Sequence, residues 1–483
     1  MTDIQTRQGE QATQTSSVQH TPTGFVKLAI LLAICLGYFM VILDTTVVNV
    51  ALPSVGHQLG ATIAEQQWIV DGYTLVFACL LLTAGAMGDR FGSKPIFLGG
   101  LVVFTGASAL CGAAPTQWIL QLARVIQGMG AALLVPSSLS LLSADFPEPH
   151  ERARAIGIWG GIAGIAAGSG PVLGGLLVNT LGWRSAFYIN VPVGLLGFLL
   201  TLRYVMPAPR SPQRSLDMGA QLTSIIGLGL LTFVCIEGGD ALSWTSLPLL
   251  AAGGGFVLAM LIFLIIERRA HDPMLPLDLF SSPTFSASNM VGLLINFGFY
   301  GQLLLMSLYF QQVRGYSPLL TGLALLPQAG LISVSSWLSG RVTAHLGPRT
   351  PMIIGLLLGT LGLLAMIFTS ATTSYPILAA MLIVTGIGMS FTMPAMTAAV
   401  IASAPANRSG IASAVLNASR QVGGTLGVAL LVSMVHHTFI PGMHLALGLA
   451  GGAFLLACAL TLLFVKQNTH TSRPSTTPSP SHN

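Results

Sequence analysis

Residues 25–50 read FVKLAILLAICLGYFMVILDTTVVNV, with Lys27 and Asp44 the only charges. At about 1.5 Å of rise per residue, about 20 apolar residues cross a hydrocarbon core about 30 Å thick, so this stretch predicts a transmembrane helix. It is too long for the apolar region of a cleavable signal and the residues before it are polar, so the helix is expected to stay in the membrane. Similar blocks follow near residues 67–87, 95–113, 118–142, 156–178 and 187–204, and then near 218–237, 247–266, 285–310, 319–338, 352–368, 377–401, 411–435 and 445–465. The spacing therefore predicts fourteen spans joined by short loops.

Composition agrees. Of 483 residues, 53% are hydrophobic and 7% charged, against about one quarter charged in soluble proteins. Lys and Arg collect on the cytoplasmic side of short loops. With the N-terminus inside, sixteen of the 20 basic residues fall in cytoplasmic segments, Arg184 and Arg314 fall outside, and Arg124 and Arg420 lie within spans. This predicts both termini inside. The pI near 9.1 then reflects topology and implies no nucleic-acid partner. The five cysteines, Cys35, Cys79, Cys111, Cys235 and Cys458, all sit in apolar blocks without a C-x-x-C pair. They read as small core residues, and no metal site is expected.

The short loops leave no room for an inserted soluble domain, and no G-x-x-x-x-G-K-[ST] phosphate loop occurs. An ATP-driven pump is disfavoured, leaving a secondary transporter, a channel or an intramembrane enzyme. An enzyme would need a cluster such as H-E-x-x-H or G-x-S-x-G, and neither is present; His436 and His437 are adjacent near a helix end. A receptor would need an output domain, and none is visible. Two cytoplasmic loops look like copies: GAMGDRFGSKP from Gly85 and GRVTAHLGPRT from Gly340. Gly85 and Gly92 match Gly340 and Gly347, and Lys94 matches Arg349, while Ala344 and His345 stand where the first copy has Asp89 and Arg90. Duplicated halves with a binding site between them are common in secondary transporters. Pairing loop two-three with loop ten-eleven gives an offset of eight helices, so the seventh and eighth are read as an insertion between two six-helix bundles.

Several motifs together carry a resemblance. The first span ends LDTTVVNVALP, the fourth contains RVIQGMGAA, the fifth GSGPVLGG, and the sixth opens WRSAFYINVPVG; YFQQVRGYSP and GIASAVLNASRQVGG continue it in the second half. With the Gly85 loop, these resemble the fourteen-helix drug/proton antiporter branch of the major facilitator superfamily. WIVDGYTLVFA and VPSSLSLL are similar, more narrowly, to methylenomycin-resistance exporters. The resemblance implies an all-α polytopic fold working by alternating access in the inner membrane. It would exchange protons for small hydrophobic or cationic drugs or antibiotics, without a cofactor. Export of an endogenous metabolite or siderophore on the same scaffold stays open, as does the presence of a periplasmic adaptor. The expected division is a cytoplasmic tail over 1–24, a bundle over 25–206, inserted helices over 217–267, a second bundle over 283–466 and a disordered tail over 467–483.

Ionisable residues inside spans cost at least about 2.5 kcal/mol at a helix centre and are functional candidates. Counted from the outer end of each span, Asp44, Asp71 and Arg124 fall in one layer, about 9–12 Å deep, with Asp71 a little shallower. Two acids and a base at one depth can hold a carboxylate ionised until a proton displaces the base; a static ion pair is the plainer alternative. The resemblance associates Arg124 with proton coupling and favours Asp44 over Asp71 as the carrier. It makes Gly85, Asp89, Arg90, Gly92 and Lys94 a gating loop, with Asp89 latching onto the start of span thirteen near Ser409 and Gly410, where a helix dipole favours an anion. A basic loop that only sets topology is the alternative. Small residues along span five make one smooth face for close packing, and Gly170, Pro171, Gly174 and Gly175 resemble the antiporter motif, with Ala166 replacing its leading glycine. Asn296, Gln302, Gln328, Asn417 and Arg420 are the candidate cavity residues of the second bundle. Any one of the four amides could equally serve as a helix–helix hydrogen bond.

Overall fold

The computed structural model describes residues 24–207, 218–238, 245–270, 275, 277–405, 408–435 and 438–466. Both expected tails, residues 1–23 and 467–483, and the pair His436 and His437 lie outside the described residues. The first group of helices is α1 (Gly24–Leu59), α2 (Ile63–Phe91), α3 (Ser93–Ala113), α4 (Gln117–Asp145), α5 (Pro149–Leu181) and the short α6 (Ser185–Tyr188), which runs into α7 (Asn190–Tyr204). Then come α8 (Met218–Glu237) and α9 (Leu247–Arg269). The last group is α10 (Pro283–Leu308) with a π turn at Tyr309–Val313, α11 (Pro318–Gly330) running into α12 (Ile332–Leu346), α13 (Arg349–Ala365), α14 (Tyr375–Ala402), α15 (Ser409–Ser433) and α16 (Phe439–Phe464). No strand occurs among the described residues.

Twelve of these spans are long and apolar enough to cross a membrane, and α2 makes a thirteenth across a 51° bend. The fourteenth, α15, is too polar to qualify by composition. Its place is settled by packing: Gly423 and Gly427 lie against the Leu293 and Phe297 carbonyls, so α15 runs parallel to α10 through the bundle. The architecture is the expected one of two six-helix bundles with two inserted helices. In the first, α1 packs on α5 and α7, and α4 on α2 and α3; in the second, α10 packs on α15 and α16, and α14 on α12 and α13. The inserted α8 and α9 pack mainly on each other, with α8 also touching α2 and α15.

Local chemistry explains the element ends. Thr62 and Glu65 form a reciprocal capping box at α2, the Glu65 amide donating to Thr62 Oγ1 (3.2 Å) and the Thr62 amide to Glu65 Oε2 (2.8 Å). The two related loops turn on glycines with left-handed backbone, Gly92 (φ 98°) and Gly347 (φ 76°). Just beyond each, Lys94 donates to the Leu202 carbonyl (3.3 Å) and Arg349 to the Leu462 carbonyl (2.5 Å). Leu202 and Leu462 occupy the cytoplasmic ends of spans six and fourteen, so the two copies share their partners as well as their glycines.

The first span is longer than the apolar block predicts, continuing through Pro53 to Leu59. A proline inside a helix leaves the carbonyl four residues back without its amide partner. Here that carbonyl, of Asn49, accepts instead from the Ser307 hydroxyl of α10 (2.9 Å), a substitution that membrane helices permit when a neighbour supplies the donor. The longer helix places Asp44 roughly 22 Å from its own outer end, but α1 overhangs its neighbours, and Arg124, which Asp44 meets, lies only about 10 Å from the outer end of α4, so the expected common layer holds.

Candidate functional site

Asp44 of α1 and Arg124 of α4 meet in the interior of the first bundle, each 1% exposed, as a hydrogen-bonded ion pair between Asp44 Oδ2 and Arg124 Nη1. The guanidinium is fixed on every side. Its Nε donates to the Ile69 carbonyl (2.9 Å) and Nη1 also to Gln127 Oε1 (2.8 Å). It lies 4.1 Å from the centre of the Tyr73 ring, and cation–π contact strengthens where water is absent. Asp44 Oδ1 accepts from Gln127 Nε2 (2.9 Å) and from Asn190 Nδ2 (3.0 Å) at the start of α7. Gln127 Nε2 also donates to Ser108 of α3 (2.8 Å). Three donors thus converge on the two oxygens of Asp44, an arrangement that an acceptor-only, ionised carboxylate satisfies.

Asp71 is not part of this cluster. It is fully buried, and neither carboxyl oxygen has a hydrogen-bond partner among the described residues. Thr74, one turn on, gives its proton to the Val70 carbonyl (3.2 Å). Gln67, Asp71 and Thr74 share one stripe of α2, the side facing α15: Gln67 donates to the Val428 and Ala429 carbonyls (3.1 and 3.0 Å), and Thr425 donates to Thr74 (2.9 Å). Similar depth therefore does not mean a shared site, because azimuth around the helix separates the two acids.

These α2–α15 bonds belong to a closed seam between the bundles on the outer side. Gln311 donates to the Val50 carbonyl (3.1 Å), alongside the Ser307 to Asn49 bond. A side chain at Gly175 would begin 2.5 Å from the Pro318 carbonyl, and Gly322 is pressed against the Pro171 carbonyl, so backbone meets backbone. Gly170 and Gly174 face α1 instead, against Thr46 and Val47. The antiporter-like run of α5 therefore serves two interfaces, one within a bundle and one between bundles. Outside the seam, a cavity of about 590 Å³ lined by His57, Gln58, Gln66, Gln311 and Tyr316 forms an outer mouth. Toward the cytoplasm the same helix is free: Gly157, Gly160 and Gly161 of α5 and Gly340 of α12 all face open space. The close inter-bundle contacts of the seam thus lie on the outer side.

The loop from Gly85 expected to act as a gate lies at the cytoplasmic end of α2. Gly85 approaches Pro136, Asp89 is half-buried, and Arg90 is exposed with its guanidinium 5.5 Å from the Phe91 ring centre. The side chains of Ser409 and Gly410, the expected latch partners, lie outside the described residues. In the second bundle, Asn296 Nδ2 donates to the Gly292 carbonyl of its own helix (2.8 Å), and Gln302 and Gln328 pair with each other across α10 and α11 (2.8 Å). Arg420 Nη1 donates to Asn417 (3.2 Å), while its buried Nε has no hydrogen-bond partner among the described residues. Sequence reasoning missed Gln127, Ser108, Asn190 and Tyr73. Gln127 could have been found as the residue one turn from Arg124 on the same face.

Relatives of known description fit this architecture. The chain is 39% identical over 406 residues to the methylenomycin A resistance protein of Streptomyces coelicolor, covering 84% of this chain and 85% of that protein. It is 36% identical to the methylenomycin A resistance protein of Bacillus subtilis, covering 94% and 98%, and 38% identical to the multidrug resistance protein Stp of Mycobacterium tuberculosis, covering 85% and 76%. Among solved structures, an inward-facing, unoccupied bacterial homologue of the human lysosomal transporter Spinster superposes with a TM-score of 0.68 at 18% identity, covering 92% of this chain and 98% of that one. Residues 34–428 match the family model of the Major Facilitator Superfamily, and the chain belongs to that family.

Proposed function

We propose that this protein exports small drug- or antibiotic-like molecules across the inner membrane in exchange for protons, by alternating access. The observation that carries the reading is the sealed Asp44–Arg124 pair, set on the same helix as the outer seam. Asp44 lies just below Asn49 and Val50, whose carbonyls accept from α10 across the seam. A proton reaching Asp44 from outside would remove the charge that Arg124 pairs with and place a donor where Gln127 and Asn190 already donate. The network would then have to rearrange, and α1 with it. Asp71 supports the same logic on α2, as a partnerless carboxyl between two residues that bridge to α15. Residues 25–206 and 283–466 would move as two bodies with 217–267 between them, and Asp89 would latch the cytoplasmic side when the outer side opens. The names of the relatives support a drug as cargo.

The test is transport in inverted vesicles. Adding a cargo molecule to vesicles holding an inside-acid proton gradient should discharge part of that gradient, in proportion to the amount of protein. Cargo movement that proceeds uphill with no proton flux would sink the antiport reading.

A further inference from the structure

The cavity at the outer mouth takes its walls from both bundles. One wall is the continuation of α1 past Pro53 and the turn into α2, carrying His57, Gln58 and Gln66; the other carries Gln311 and Gln312 of the π turn, then Tyr316. Both walls are held in place. Gln58 Oε1 accepts from Trp183 Nε1 (2.9 Å). Gln66 Nε2 donates to the Ala61 carbonyl (3.1 Å), and a side chain at Gly56 would run into that nitrogen, so the glycine is what admits the amide. Across the seam, Gln311 Nε2 donates to the Val50 carbonyl (3.1 Å) and to Ser307 Oγ (3.3 Å), and the Tyr316 ring stacks on Phe310 with centres 5.4 Å apart.

Those bonds use one side of each amide and leave the other. Gln58 keeps its NH2 group and Gln311 its Oε1, while His57 and Gln312 are exposed with no side-chain hydrogen bond among the described residues. The Oε1 of Gln66 is buried and has no hydrogen-bond partner among the described residues, and a buried acceptor is ordinarily met by a donor. No Asp, Glu, Lys or Arg lines the cavity among the described residues, so a charged occupant would give up water without gaining a counter-ion. An amide sets a donor beside an acceptor. The uncharged group that answers both is a hydroxyl, and a sugar ring repeats hydroxyls at short spacing while offering C–H faces to Tyr316 and Pro318. At about 590 Å³ the cavity has the size of a small-molecule site.

We propose that the outer mouth binds neutral saccharides from the outer side, and that a bound sugar holds the outer seam shut. An occupant that touches both walls fits only while they are together. It therefore stabilises the closed seam, and by linkage opening the seam must weaken its binding. His57 lies about 20 Å along α1 from Asp44, so binding here needs no proton exchange. The proposal rests on the export reading only for the cargo movement that a bound sugar would slow.

Binding of maltose to the full-length chain in nanodiscs, read by saturation-transfer NMR without any gradient, tests the site, with maltobionate, the anionic oxidation product of maltose, as the charged control. We expect maltose to saturate below about 10 mM and maltobionate to bind at least about fivefold more weakly. His57→Leu and Gln312→Leu, one on each wall and both at exposed positions, should each weaken maltose about fivefold, the loss of one hydrogen bond. Gly175→Val, or Gly322→Val on the facing helix, should weaken it severalfold with every residue of the cavity intact, by depleting the closed form. Absent saturation, equal or tighter maltobionate binding, or a loss confined to one wall would overturn the site, and unchanged affinity in both seam variants would overturn its link to closure. In inverted vesicles the outer mouth faces the lumen, so maltose loaded inside should slow cargo uptake and maltose in the bath should not. Slowing from the bath alone, or a proton gradient discharged by bath maltose, would make the sugar a cargo and remove the proposed role. If maltose binds and answers to the seam while cargo moves no protons, the antiport reading fails and the site stands.

Discussion

At the scale of single residues, the buried pair gives the sharpest expectations. Arg124→Ala leaves Asp44 without its charge partner, and breaking a buried pair costs about 3–5 kcal/mol. We expect the variant to insert but melt at lower temperature, and to lose uphill efflux entirely; Arg124→Lys should recover part, since an ammonium cannot hold Asp44, Gln127 and the Ile69 carbonyl at once. Vesicle transport and thermal melting check both, and uphill transport by the alanine variant would remove Arg124 from coupling. Asp44→Asn should stop proton release for every cargo. Asp71→Asn should keep cargo binding and slow turnover severalfold, because an amide replaces a carboxyl that has no hydrogen-bond partner among the described residues. Equal loss of proton release in both would make them one coupled site despite their separation. Asp44 and Arg124 were legible in the sequence because charges stand out in apolar blocks. Gln127 and Asn190 were not, since amides are common in spans, and the separate setting of Asp71 was hidden because counting residues gives depth and not direction around a helix.

Among elements, α5 separates two kinds of close packing. A β-branched side chain at Gly175 or Gly322 meets backbone across the outer seam, and overpacking costs about 1–3 kcal/mol. That is enough to shift a two-state balance toward the outward-open form by about tenfold. Cysteines at Gly157 or Gly340 should then react more slowly with an impermeant maleimide from the cytoplasmic side. The same change at Gly170, which faces Thr46 within one bundle, should lower stability without changing that labelling ratio. Unchanged labelling in Gly175→Val would mean the seam is not what closes the outer side. Pro53 offers a milder test: Pro53→Ala restores an amide that competes for the Asn49 carbonyl, so the Ser307 bond should weaken and labelling fall modestly. The span count was readable from composition, but the length of α1 was not, because a proline that reads as a stop in isolation is accommodated by a hydroxyl from a distant helix.

For the whole molecule, the expectation concerns exchange between forms open on opposite sides of the membrane. A cysteine pair at Asp89 and Ser409 should crosslink when the outer side is held open, as by Gly175→Val, and far less in the wild type at rest. Crosslinking that is equally strong in both backgrounds would remove the latch. The duplication was visible in two glycine pairs and a basic residue, and the structure adds that Lys94 and Arg349 both tether to the last turn of the closing span of their own bundle. The inserted α8 touches both α2 and α15, a relation no local pattern in the sequence encodes.

The polarity of α15 has a consequence for how the chain is made. A segment carrying Asn417, Arg420, Gln421 and several Ser and Thr residues would be poorly received by lipid as it leaves the ribosome, yet it ends packed between α10 and α2, where the two bundles meet. Its acceptance must depend on the earlier arrival of α10, whose glycine-matched face and carbonyls stand ready to receive it. Assembly of the last third is then a matter of synthesis order. Placed alone between apolar flanks in a glycosylation-mapped insertion assay, residues 409–433 should be rejected by the membrane, and supplying α10 ahead of them should restore insertion.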